Sequence, residues 1–197
     1  MKKACFIAAA WLLPGCMAVG VPATSDPWKK FTYACALMHA GRVAIAAPAM
    51  RESLAYYEKA DEPLKLAVVQ MENAVMLESP AFTVERSFAR ERAEMGGRAV
   101  IPVRARELSM RAKANLERVL AMPPGQASAG DRTQALIFLI DAHAQLGEFR
   151  EACATIERAA QSYRPAEPVP YHYDLYGHKS VAEHLQDRRD LLECAQL

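Results

Sequence analysis

Apolar residues recur at three- and four-residue steps along most of the chain. Leu64, Ala67, Val68, Met71 and Val75 mark one face of a helix whose first turn is announced by Asp61 and Pro63. Leu108, Ala112, Leu116, Val119 and Leu120 mark another over 103–121, and the Met122-Pro123-Pro124-Gly125 run that follows cannot continue it. Ser79 before Pro80 predicts a helix that reaches Met95 and stops at Gly96-Gly97. Asp131, with Gln134 three residues on, reads as a capping-box-like start for a helix over 132–146; Ser180 with Glu183 opens a final helix through Ala195. Nearer the N-terminus, 28–40 is helical in composition and ends at Gly41. Pro48 begins a helix through Lys59 and leaves 42–47 open between a helix end and an extended loop. No alternating run is long enough to argue for a sheet. The expected fold class is therefore all-α: antiparallel hairpins, seven or eight helices, joined by short connections such as Gly125–Gly130.

The first residues break this pattern. Met1-Lys2-Lys3 is a positive start, Ala4 to Leu13 is an apolar run, and Pro14-Gly15 ends it. A hydrocarbon core needs about twenty residues to be crossed, so the segment reads as an export signal rather than an anchor. Two cleavage readings stand open. Leu13-Pro14-Gly15-Cys16 resembles the lipobox of bacterial lipoproteins, with proline in place of the usual small or aliphatic residue; it implies a signal over 1–15 and lipidation of Cys16. Ala18-Val19-Gly20 or Val21-Pro22-Ala23 instead satisfies ordinary signal peptidase, giving a signal over 1–23 and one all-helical domain over 24–197. Both place the mature chain in a Gram-negative envelope, soluble in the periplasm or lipid-anchored to the outer membrane.

Composition adds little about partners. With 52% apolar and 24% charged residues the chain is an ordinary globular sequence, and 24 basic against 23 acidic residues give no footprint for nucleic acid. The charge is unevenly spread: 52–78 holds six acids and two lysines, while 84–113 holds eight bases and four acids. Both blocks read as solvated helix faces. Beyond Cys5 and Cys16 the cysteines are Cys35, Cys153 and Cys194. Antiparallel packing of the two C-terminal helices would bring Cys153 and Cys194 to neighbouring levels. A bridge there closes a loop of about forty residues and contributes about 4 kcal/mol in the chain-entropy treatment. Cys35 is left as a small buried hydrophobe.

Leu136, Leu139, His143, Gly147, Phe149, Ala152, Ile156 and Ala159 have a spacing that resembles a tetratricopeptide repeat over 131–163. Gly147 and Ala152 keep the turn and the close helix contact. Leu136, Ile140 and His143 replace the family's tryptophan, small residue and tyrosine, and the closing proline is displaced to Pro165. Ala112, Leu116, Val119, Leu120 and Pro124 fit the second helix of a preceding repeat whose first helix would contain Gly96, Gly97 and Pro102; Gly41, Val43 and Ala46 fit an earlier turn. The resemblance implies a tetratricopeptide-like domain with irregular neighbours. It also implies that the exposed side of the first repeat helix, at Gln134, Asp141 and Gln145, carries partner contacts.

Residues 164–178, RPAEPVPYHYDLYGH, form a long connection rich in proline and tyrosine. Tyr171, Tyr173 and Tyr176 offer rigid amphipathic contact area for a partner, or pack as a strap over helix ends. His172, Asp174, His178 and His184 are the only residues that suggest a metal, and their spacing matches no zinc motif. His143 sits on an apolar helix face and reads as a packing histidine. The sequence contains no HExxH, paired CxxC, GxSxG or glycine-rich phosphate loop. The expectation is a non-enzymatic scaffold or accessory factor for another envelope or secreted protein, with no cofactor, metal, nucleic acid or small-molecule substrate. The membrane enters only through a lipid at Cys16. The alternative is an exported metal-dependent enzyme built on the 172–184 cluster.

Overall fold

A computed structural model describes residues 23–78, 100–165 and 180–194, with side chains from Arg104 onward in the second stretch. The export segment, the helix expected over 80–95 and most of the 164–178 connection lie outside the described residues. Among the described residues there are seven helices: α1 Pro27–His39, α2 Val43–Tyr57, α3 Pro63–Glu78, α4 Val100–Ala121, α5 Ala129–Leu146, α6 Phe149–Ser162 and α7 Val181–Leu191. The fold is all-α, as the periodicity predicts, and neighbouring helices pack as antiparallel hairpins.

Local chemistry sets the ends. Asp26 caps α1 by accepting from the Trp28 and Lys29 N–H groups at 2.9 and 3.2 Å, with Pro27 in the first turn. Gly41 (φ +75°) then reverses the chain into α2. Here the sequence reading needs correction: α2 begins at Val43, and Pro48 lies inside it. Val43, Ala46 and Ala47 are buried and draw the first turn into the core, while exposed Pro48 removes only one N–H donor, the one that Ala44 would accept. A second correction concerns α5. Its cap is Ser128, whose Oγ accepts from the Asp131 N–H at 3.0 Å while the Asp131 carboxylate accepts from the Ser128 N–H at 3.0 Å. Asp131 is thus the third residue of the box and Gln134 is no part of it. Arg132 donates to the Leu120 and Met122 carbonyls at 2.9 and 2.6 Å, satisfying the end of α4. At α7, the Ser180 Oγ accepts from Glu183 N–H as the sequence predicts. The helix stops at Leu191 instead of running on to Ala195, because Glu193 adopts φ +51°.

Two buried clusters meet at α5. The larger gathers α1 to α4 with Ala135, Phe138, Leu139 and Ala142 from one side of α5. The smaller joins Leu136, Ile137 and Ile140 from its other side to Ala152, Ile156 and Ala159 of α6 and Val181 and Leu185 of α7. A helix walled on both sides is apolar nearly all round, and α3, between α2 and α4, shows the same. Val75 departs from the predicted face of α3 and is 39% exposed. The acidic block faces α4: Glu58 lies 4.0 Å from Arg111 of the basic block, and Asp61 lies 2.8 Å from Arg118 just beyond it. Both pairs are solvated, so they align the helices at little gain in stability.

Cys153 and Cys194 form a disulfide with Cα atoms 5.6 Å apart and a sequence separation of 41, as their placement on antiparallel helices predicts. Cys35 is a free, buried thiol. No described helix is long and apolar enough to cross a membrane.

Candidate interaction surfaces

The three α5 side chains expected to face a partner face the chain's own helices. Gln134 is 2% exposed, because the side of α5 that carries it is covered by neighbouring helices. Asp141 is partly shielded and pairs with Arg188 of α7 at 3.0 Å. Gln145 accepts from the Ser109 Oγ of α4 at 2.6 Å. These residues join helices to one another. Tyr171, Tyr173 and Tyr176 lie outside the described residues, as do His172, Asp174 and His178. His184 is fully buried on α7, beside Val181 and Leu185. Among the described residues no group of three His, Cys, Asp or Glu side chains is placed to hold a metal ion.

At the base of the α5–α6 hairpin a charged cluster forms. Gly147 (φ +79°) turns the chain and brings Glu148 beside α4. There Glu148 accepts from Lys113 Nζ at 2.6 Å, with His143 Nδ1 also at 2.6 Å. The Lys113 hydrogen bond, then that from His143, holds the Glu148 carboxyl below the usual carboxylate range. His143 is therefore the packing histidine its face suggests, satisfied by a carboxylate five residues on. Burial, with Glu72 nearby, pushes the Cys35 thiol well above its ordinary value and so disfavours its thiolate.

Exposed large apolar side chains are spread over several helices, Val75, Met110, Phe149 and Leu191 among them, and three lie on the α1–α2 hairpin. Tyr33 of α1 and Ile45 and Tyr56 of α2 are 45%, 37% and 49% exposed. Ile45, Pro48, Ala49 and Glu52 follow one another along a single stripe of α2. That stripe and Lys30 of α1, with Ala23, Thr24 and Ser25 below it, line an open groove of about 680 Å³. Lys30 reaches across to Glu52 at 2.7 Å, so the groove has an apolar floor and a charge of each sign on its rim. It has shape and hydrogen-bonding groups. Sequence reasoning missed it because Pro48 was placed at a helix start, which removed Ile45 from the stripe.

A smaller cleft of about 320 Å³ between α3, α4 and α5 is lined by Asp61, Glu62, Lys65 and Asp131. Its charges are already engaged: Asp61 by Arg118, Glu62 by Lys65, and Asp131 in its capping box. Comparison with family models, curated proteins and solved structures finds no match to this chain.

Proposed function

We propose that this chain is an exported, non-enzymatic protein of the cell envelope that acts as a helical interaction scaffold, holding a segment of another envelope protein against its α1–α2 hairpin. The observation that carries this reading is the groove beside Ile45 and Pro48, with an apolar floor, a Lys30–Glu52 rim and exposed Tyr33 and Tyr56 on the same hairpin. Tyrosines that present a rigid ring and a polar tip suit protein contacts. A polypeptide is the favoured occupant because the groove offers both an apolar floor and hydrogen-bonding rim groups.

The tetratricopeptide-like spacing of α5 and α6 supports the scaffold reading from the other end of the chain. Ala152 is fully buried and Gly147 makes the turn, as such a hairpin requires. The N-terminal segment supports export, with a lipid at Cys16 or cleavage near Val21 or Thr24. The strap tyrosines Tyr171, Tyr173 and Tyr176 belong to the proposed contact set.

A photo-cross-linking residue at Ile45 tests the reading in envelope fractions, with the same residue at exposed Arg158 on α6 as control. One discrete adduct at Ile45, absent at Arg158 and lost when exposed Pro48 is replaced by glutamate in a chain of unchanged helicity, is the expected result. Equal labelling at both positions would overturn it.

A further inference from the structure

We propose that the Cys153–Cys194 disulfide is a redox latch for α7: its reduction frees α7 from the α5–α6 hairpin and opens the apolar cluster that Val181 and Leu185 help to close, while α1 to α4 stay folded. The proposal does not depend on the scaffold reading.

The helix that the bridge holds is weakly equipped to hold itself. It has eleven residues, of which only Val181, His184 and Leu185 are buried. A helix that short is marginal in water without packing. Its apolar contacts belong to the smaller cluster, which shares only partly buried Leu120 with the larger one. Polar contacts assist, among them Arg188 to Asp141 on α5 and Arg189 to Glu157 on α6. The second pair is exposed on its Glu157 side and weak in water.

The bridge completes the attachment at the far end. The chain holds α7 near Ser180, and the disulfide holds it beyond Leu191, so the helix is pinned at both ends. Opening the bridge removes the second pin and leaves α7 held only at its Ser180 end and by its packing. Both cysteines are partly exposed residues rather than core ones. Beneath α7, Leu136, Ile140 and Ile156 are 4%, 0% and 0% exposed. Val181 and Leu185 of α7 share one buried cluster with them, so release of α7 removes its apolar contribution and opens one side of that cluster to water.

The chemistry is thiol–disulfide exchange with a dithiol. One thiolate of the dithiol attacks one bridge sulfur; the Sγ–Sγ bond breaks and its electron pair leaves on the other cysteine, which takes a proton. The second thiol of the dithiol, as thiolate, resolves the mixed disulfide, releasing the remaining cysteine as a thiol. Two electrons have passed to the protein, and the dithiol has become a cyclic disulfide.

Hydrogen exchange of the full mature chain, with and without dithiothreitol, is the test, with an apolar-surface dye read in parallel. Reduction is expected to speed exchange of amides 181–191 on the order of tenfold or more, to raise dye fluorescence, and to leave amides of α1 to α4 unchanged. A Cys153→Ser, Cys194→Ser double variant is expected to show the same pattern without reductant and no further response to it. Unchanged protection at 181–191 on reduction would overturn the proposal, since packing alone would then hold α7. So would a loss of protection across all helices, in the reduced chain or the variant, since the bridge would then be a global clamp.

Discussion

Arg188 of α7 and Asp141 of α5 meet at 3.0 Å with their side chains 26% and 15% exposed. The pair fixes the last helix against the middle of the fold, and each partner leaves a partly desolvated charge behind when the other is removed. Asp141→Ala is expected to lower stability by about 1–3 kcal/mol, read as a shift in the urea midpoint with unchanged slope. A loss within about 0.5 kcal/mol would show Asp141 to be a solvated surface residue.

Glu148 gives the fold an acid-sensitive joint. Lys113 and His143 depress its pKa, so its stabilising effect is complete above the unfolded value near 4.5 and is lost as pH falls through the lower folded value. Glu148→Gln is therefore expected to melt below the wild type at pH 7, with the difference shrinking steadily below about pH 4.5. Melting curves from pH 7 to pH 3 check this. A difference that grows on acidification contradicts the assignment.

Pro48 stands in the interior of α2, exposed, and withholds a donor from Ala44. Replacing it by alanine restores that hydrogen bond and a better helix former, so Pro48→Ala is expected to raise stability by about 1–3 kcal/mol. Thermal melting of the variant reads the change directly. A fall would mean that the ring packs against something essential.

Gly147 sits at φ +79°, with open space where a Cβ would stand. The cost of Gly147→Ala is then backbone strain alone, about 1–2 kcal/mol. By contrast Leu116→Ala, in the fully buried interior of α4, is expected to cost about 2–5 kcal/mol. Denaturant titrations of the two variants should keep that order; a reversed order contradicts the placement of the core.

Helix existence and the disulfide were legible because each rests on local or nearly local signals. The stepwise apolar face of α4 and the Ser180 cap of α7 are written in consecutive residues, and Cys153 and Cys194 follow once two adjacent helices pack antiparallel. What was not legible depends on how many neighbours a helix has. Gln134 is polar and its position suggests an exposed face, but α5 is packed against α4 and α6 and also touches α3, so polar positions are buried with apolar ones. Val75 errs the other way, an apolar residue left 39% exposed. The α1–α2 groove was hidden because proline usually marks a helix start, and here the buried face of 43–47 outweighs that preference.

The most direct test of an exported interaction scaffold is mass spectrometry of the mature protein recovered from a bacterial envelope fraction, with its co-purifying proteins quantified in the same run. The account predicts a chain beginning at an acylated Cys16 or near Val21 or Thr24, accompanied by one companion protein at stoichiometric amount. A chain that keeps Met1, found in the cytosolic fraction and alone, would contradict it.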